Sequence, residues 1–299
     1  KMSNYKTVFF TLGILLIILG VAMLVPVVIQ LIYDEFDSTF IISGIITITF
    51  GILFFLSNID HLKLINTQQA FLLTALSWLS IATFGSLPFF FSELNLSVTD
   101  SFFESMSGIT TTGATILSNI ESSPRGILVW RSMLQWLGGI GVILMAITLM
   151  PIMNIGGMQL LKISSYDTSE KILPKSKEIS LKLIFVYTSL TFLCAFFYKI
   201  FGMNTFDSLT HSMTTIATGG FSNYDQSIGY FNNAYIEIIS ILFILSGSIP
   251  FILYIKFISD DKKIIFKDEQ VKLFFKLTLV SIFVLFIYLA IVNKDVFEI

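Results

Sequence analysis

Residues 105–115 read SMSGITTTGAT, and residues 212–222 read SMTTIATGGFS. Each Thr/Gly run lies in the middle of strongly apolar sequence. Laid over each other without a gap, DSFFESMSGITTTGAT (100–115) and DSLTHSMTTIATGGFS (207–222) agree at seven of 16 positions: Asp100/Asp207, Ser101/Ser208, Ser105/Ser212, Met106/Met213, Ile109/Ile216, Thr111/Thr218 and Gly113/Gly220. An apolar stretch of helix length precedes each copy and another follows it. The chain therefore carries an internal repeat of helix, short segment, helix, in parallel orientation.

The rest of the sequence says what solvent surrounds this repeat. Of 299 residues, 55% are hydrophobic and 13% charged, with a mean hydropathy of +0.84. A soluble core of this size does not need so much apolar residue, so the lipid bilayer is the expected solvent. The net charge of −2 leaves no basic surplus for phosphates, which argues against nucleic acid as a partner. Cys194 is the one cysteine, so disulfides and cysteine metal sites are excluded. The two histidines, His61 and His211, fall on opposite sides of the expected topology, and no cofactor is expected in this chain.

A spanning helix needs ~20 mostly apolar residues. Such stretches occur at about 8–32, 39–57, 70–91, 126–150, 182–201, 233–257 and 273–293. Residues 8–32 read as a spanning helix rather than a signal peptide, because no small-residue cleavage site follows. Gly247 and Pro250 are expected to kink the helix at 233–257. With the N-terminus inside, 14 of the 18 Lys and Arg residues fall on the inner side, five of them from Lys162 to Lys182 and six from Lys256 to Lys276. That asymmetry follows the positive-inside rule and places both Thr/Gly runs on the outer side.

Each run follows a segment that starts like a helix. Asp100 or Ser101 is the expected cap, and Ser101-Phe-Phe-Glu104 fits a capping box. About ten residues of helix reach ~15 Å, half the hydrocarbon thickness, so the segment stops in mid-membrane. Non-helical backbone is tolerated there only where protein buries it or it lines a water-filled path. A half-helix entering from outside turns its partly negative C-terminus to the membrane centre, which favours a cation. The Thr/Gly run then offers backbone carbonyls and hydroxyls in place of a hydration shell. Gly113 and Gly220 allow the conformations that aim carbonyls at one axis. No carboxylate lies inside either run, which suits a monovalent cation better than a divalent one.

With these residues in view, the chain resembles the TrkH-type membrane subunits of the Trk/Ktr/HKT superfamily of potassium transporters. The resemblance rests on an order of motifs: TTTGAT after FFESMSG, W-R-x(4)-W-x-G-G from Trp130, P-x-x-x-I-G-G-M-Q from Pro151, and HSMTTIATGGFS. It implies an all-α polytopic membrane protein of repeated helix–pore-helix–helix units around a central ion path, with two preceding helices. On that pattern residues 1–60 hold the two N-terminal helices, 66–155 the first unit, 178–258 the second, and 270–299 the first helix of a third. The family has four units, so the sequence is expected to be an N-terminal portion. By matching, Gly113 and Gly220 are the filter glycines. Thr111, Thr112, Thr218 and Gly219 would supply ion-facing carbonyls, with Thr110 and Ala217 one step deeper and K+ as the ion held there and transported. The resemblance also implies a homodimer, a TrkA-like cytosolic nucleotide-binding ring subunit, and a bacterial cytoplasmic membrane with the N-terminus cytoplasmic.

Further residues bear on the site. Arg131 lies about two turns into a membrane helix, and an intramembrane Arg is a functional candidate by default. Glu104 or Asp100 is its expected partner in a brace for the filter. His211 stands at the position of Glu104 in the second copy and is expected to hydrogen-bond around the short helix. Gly138, Gly139 and Gly141 leave a helix face bare for close packing. Two other functions compete. A secondary transporter of sodium or another small solute would show inverted repeats and an intramembrane charge for its substrate. A membrane enzyme would show a His/Asp/Glu cluster or a Ser–His pair, and none is visible, so no enzymatic activity is expected.

Overall fold

The computed structural model describes residues 5–59, 66–153, 169–259 and 263–292. The I-G-G-M-Q motif at 155–159 and several of the lysines counted above lie outside the described residues. Among the described residues there is helix and no strand. In chain order the helices are α1 (Lys6–Ala22), α2 (Leu24–Ile32), α3 (Thr39–Ser57), α4 (Thr67–Gly85), α5 (Leu87–Phe91), α6 (Val98–Ile109), α7 (Arg125–Met153), α8 (Ser169–Ile200), α9 (Thr205–Ile216) and α10 (Ala234–Ser248). These form one compact unit that ends at Ser248. A second unit begins at Ile249 and holds α11 (Phe251–Ser259), α12 (Ile264–Lys267) and α13 (Glu269–Val292).

Six stretches are long and apolar enough to cross a membrane: Lys6–Ile32, Thr39–Ser57, Thr67–Phe91, Arg125–Met145, Glu178–Ile200 and Glu269–Ile291. The chain is thus a multi-pass, all-helical membrane protein. The expected span at 233–257 is not one kinked helix. It is broken into α10 and α11 at Ile249–Pro250, because proline has no N–H for the helical ladder and its ring clashes with the preceding turn. Gly247 plays a different part, described below.

Two features hold the first unit together. The backbones of α1 and α3 approach closely through Gly13 and Gly20 on one helix and Gly44 and Gly51 on the other. A Cβ on Gly13 would come within 2.6 Å of the Phe55 nitrogen, and one on Gly51 within 2.9 Å of the Gly13 carbonyl oxygen. In lipid, where apolar burial gives little driving force between helices, such contact supplies the dispersion energy. The second feature is a core around Trp130, with Phe40, Phe89, Ile127 and Leu134, all nearly inaccessible. The Trp130 indole N–H donates to the Gly85 carbonyl at 2.9 Å, which satisfies an otherwise orphaned acceptor at the end of α4. This core seats α6 and α7, and so positions the first Thr/Gly run. In the second unit Ile249, Leu253 and Val271 make a small core of their own.

Candidate functional site

The short segments are helices of 12 residues each, α6 and α9, about 18 Å long. Their caps lie one turn earlier than expected. Ser97 Oγ accepts the Asp100 N–H at 3.1 Å, and Asn204 Oδ1 accepts the Asp207 N–H at 2.8 Å. Ser97 and Asn204 stand at the same spacing as the rest of the repeat. Ser101 is therefore inside the helix, and Glu104 makes no capping box. Its carboxylate turns inward to a buried Arg, a stronger partner than a terminal N–H.

The C-terminal ends match bond for bond. In the first copy the Thr111 N–H donates to the Gly108 carbonyl at 2.9 Å and the Thr112 N–H to Ser107 at 2.9 Å. In the second, Thr218 donates to Thr215 at 3.0 Å and Gly219 to Thr214 at 2.9 Å. This is the Schellman pattern of a helix stop. It needs a left-handed residue, and glycine usually provides it. Here Thr111 (φ 55°) and Thr218 (φ 52°) do so, although a branched side chain is costly there. Two residues later Gly113 (φ 78°) and Gly220 (φ 81°) are left-handed again. Backbone strain of this kind concentrates at functional segments, and here it recurs at equivalent places.

Each run is tied back to its own short helix by equivalent residues. Thr115 Oγ1 lies 2.9 Å from Glu104 Oε1, and the Ile116 N–H donates to Glu104 Oε2 at 3.1 Å. In the second copy Ser222 Oγ lies 3.0 Å from His211 Nε2. The other ring nitrogen, Nδ1, lies 2.9 Å from the Asp207 carbonyl, which can only accept. Nδ1 therefore carries a proton, and in the neutral ring Ser222 donates to Nε2. A carboxylate in one copy is replaced by an imidazole in the other.

Arg131 joins the two copies. It is 1% exposed and Glu104 is 0% exposed, and its Nε donates to Glu104 Oε1 at 2.8 Å. One terminal nitrogen donates to the Ser222 carbonyl at 2.8 Å, and the other reaches Thr115 Oγ1 at 3.2 Å. Its guanidinium lies 4.2 Å from the centre of the Phe221 ring. One buried cation thus holds the exits of both runs. Asp100 takes no part and caps α6 with Ser97, whose Oγ donates to it at 2.7 Å. Its counterpart Asp207 is buried and accepts from Asn204, Asn223 and Tyr224 at 2.6–2.8 Å. Burial, with the Asp207 carboxylate beside it, raises the Tyr224 phenol above its ordinary value, so it stays a donor.

Glycines bring the following helices against the short ones. A Cβ on Gly138 of α7 would run into the Ile109 carbonyl oxygen, and one on Gly247 of α10 would come within 2.7 Å of the Ile216 carbonyl oxygen. Ile109 and Ile216 are equivalent positions, so both short helices end against a glycine. A Cβ on Gly139 would come within 2.5 Å of the Tyr187 hydroxyl, whereas one on Gly141 would meet Trp78 only at 3.9 Å. Gly138→Ala is expected to lower the melting temperature of the purified full-length protein, with an overpacking cost of about 1–3 kcal/mol. Gly141→Ala is expected to leave it unchanged or raise it, since alanine is the better helix former.

Beside the N-terminus of α9 lies a cavity of about 850 Å³. Six carboxylates line it, among them Glu93, Glu121 and Asp207, against the two cations Arg125 and Lys199. Arg125 is itself paired with Glu35. No group of three or more His, Cys, Asp or Glu residues with metal-binding geometry occurs among the described residues.

The sequence singles out Glu104, Arg131 and His211, and the structure brings all three to the two Thr/Gly runs. The caps Ser97 and Asn204 and the tethers Thr115 and Ser222 are not singled out by it. Extending the same ungapped alignment toward the N-terminus finds the caps. Pairing 104 with 115 needs the fold.

A family model described as a cation transport protein, TrkH, matches residues 37–293. The Trk system potassium uptake protein TrkI of Halomonas elongata is 36% identical over 96% of this chain and 59% of its own length. The Trk system potassium uptake protein TrkH of the same organism is 40% identical over 81% of this chain and 51% of its own. The crystal structure of the potassium transporter TrkH from Vibrio parahaemolyticus superposes with a TM-score of 0.88 at 32% identity, covering 98% of this chain and 61% of that one. The chain spans between half and three fifths of the length of these curated relatives.

Proposed function

The chain belongs to the TrkH family of cation transport proteins, and from this we propose that it supplies two of the units lining a potassium-uptake path. That family is a transporter class and not an enzyme class. The observation that carries the proposal is the twice-built helix stop, with left-handed Thr and Gly at the same positions in both copies. Four left-handed residues in two short runs are hard to account for as scaffold alone, because ordinary turns would do that at less strain.

The carbonyls of Thr110, Thr111 and Thr112 in one run and of Ala217, Thr218 and Gly219 in the other are the proposed ion ligands. Neutral oxygens bind a monovalent cation strongly enough to strip its water and weakly enough to let it leave. The partly negative ends of α6 and α9 add to the attraction. The Glu104–Arg131 pair and His211 hold the runs in place. The acidic cavity, on the side that would face outward, raises the local cation concentration.

In this reading the N-terminus is cytoplasmic and the membrane is the bacterial cytoplasmic one, as the placement of 14 of 18 basic residues suggests. The names of the relatives speak of a Trk system. A homodimer, docked on a TrkA-like nucleotide-binding ring at the lysine-rich inner loops, is the assembly we propose. The test is rubidium uptake by cells lacking their own potassium transporters, expressing the complete reading frame with its cytosolic partner. Saturable uptake that potassium inhibits is the expected result. Uptake of sodium alone, or none from well-expressed protein, would overturn the reading.

A further inference from the structure

The two runs differ just ahead of their shared glycine. Before Gly113 stands Thr112, and before Gly220 stands Gly219. Gly219 is not left-handed, so its backbone does not call for glycine. Space does. A Cβ on Gly219 would overlap the side-chain amide of Gln135, a residue of α7 one turn beyond Arg131.

Gln135 is 0% exposed. Its Oε1 accepts the Phe221 N–H at 3.0 Å, which anchors the second run just beyond Gly220. Its Nε2 is buried without a hydrogen-bond partner. That nitrogen lies 3.8 Å from where a Cβ of Gly113 would be, and the same Cβ would run into the Gly219 carbonyl oxygen. The amide of Gln135 is therefore wedged where the first run meets the second. An amide donor left unpaired in a dry interior is costly, and such groups are rare.

We propose that Gln135 is a specificity-determining positioning residue, which sets the spacing of the two runs and thereby the cation preference of the path. The proposal rests on the pore reading above. Its acceptor fixes the second run through Phe221. Its open donor lies beside both runs and pairs with a backbone carbonyl that rotates away from an ion. Cavity size and the field of the carbonyls are the two ways in which a carbonyl filter discriminates, and both change if the spacing changes.

The test uses the full-length protein with its partner, and reads rubidium against sodium uptake together with the amount in the membrane. Gln135→Met keeps the volume and removes both polar atoms. It is expected to lower the rubidium-to-sodium ratio about tenfold at unchanged membrane amount. Gly219→Ala should shift the ratio the same way, and in a Gln135→Ala background it should add little further shift, because the overlap is gone there. Gly220→Ala is strained by its φ alone and meets no atom within 4 Å, so its effect should be the same in the Gln135→Ala background as in the wild type. An unchanged ratio in Gln135→Met, or a Gly219→Ala shift as large in the Gln135→Ala background as without it, would overturn the proposal. Should Gln135→Met fail to reach the membrane, the Gly219→Ala pair decides. A wild-type protein that carries no rubidium would instead remove the pore reading itself.

Discussion

Gly113→Asp is expected to reduce rubidium uptake more than tenfold while leaving the protein in the membrane. Three effects act together. Gly113 has φ 78°, where a side chain costs roughly 1–2 kcal/mol. Its Cβ would run into the Gly219 carbonyl oxygen and push the two runs apart. The new carboxylate would sit among the proposed carbonyl ligands and hold a cation too tightly for it to leave. The comparison that separates these effects is Gly113→Ala with Gly220→Ala. Both bear the φ cost, but only the first meets an atom, so Gly113→Ala should lose more uptake. Near-wild-type uptake in Gly113→Asp would place the ion path elsewhere.

Arg131→Gln should be the most damaging change to stability. It leaves Glu104 buried with its charge unanswered and the Ser222 carbonyl without its donor. Removing one partner of a buried pair costs about 3–5 kcal/mol, mostly from the charge left behind. The double variant Glu104→Gln/Arg131→Gln removes that charge and should be less destabilised than Arg131→Gln alone, a coupling that marks residues in direct contact. The measurement is the melting temperature of the purified protein for both single variants and the double. Cation selectivity, read in parallel, tests the brace itself. If Arg131→Gln kept wild-type stability and selectivity, the pair would not hold the filter.

Much of the architecture was legible because lipid imposes simple rules. Six of the spanning stretches could be located from apolar length alone, since a helix in hydrocarbon has no other way to satisfy its backbone. The repeat was legible because both copies make the same helix stop, and Thr111/Thr218 and Gly113/Gly220 stand at identical spacing. The intramembrane Arg131 drew notice because a charge at that depth needs a partner.

What the chain order could not show was contact between segments far apart in it. Ser97 lies one turn ahead of Asp100 and Ser101, and only the folded chain shows that it takes the Asp100 N–H while Glu104 turns to Arg131. Gly247 reads as a kink residue beside Pro250, yet in the packed molecule it lies so close to the Ile216 carbonyl that a side chain would not fit there. Gln135 reads as an ordinary polar residue one turn from Arg131, and its meaning comes from Gly219, far along the chain. Composition and period alone were enough for most of the spans and for the repeat, because each of these is local. That Arg131 and Gln135 of α7 serve the second run as well as the first emerges only in the packed molecule. It depends on how closely backbone carbonyls, glycines and one buried ion pair approach across the fold, and no local pattern encodes those distances.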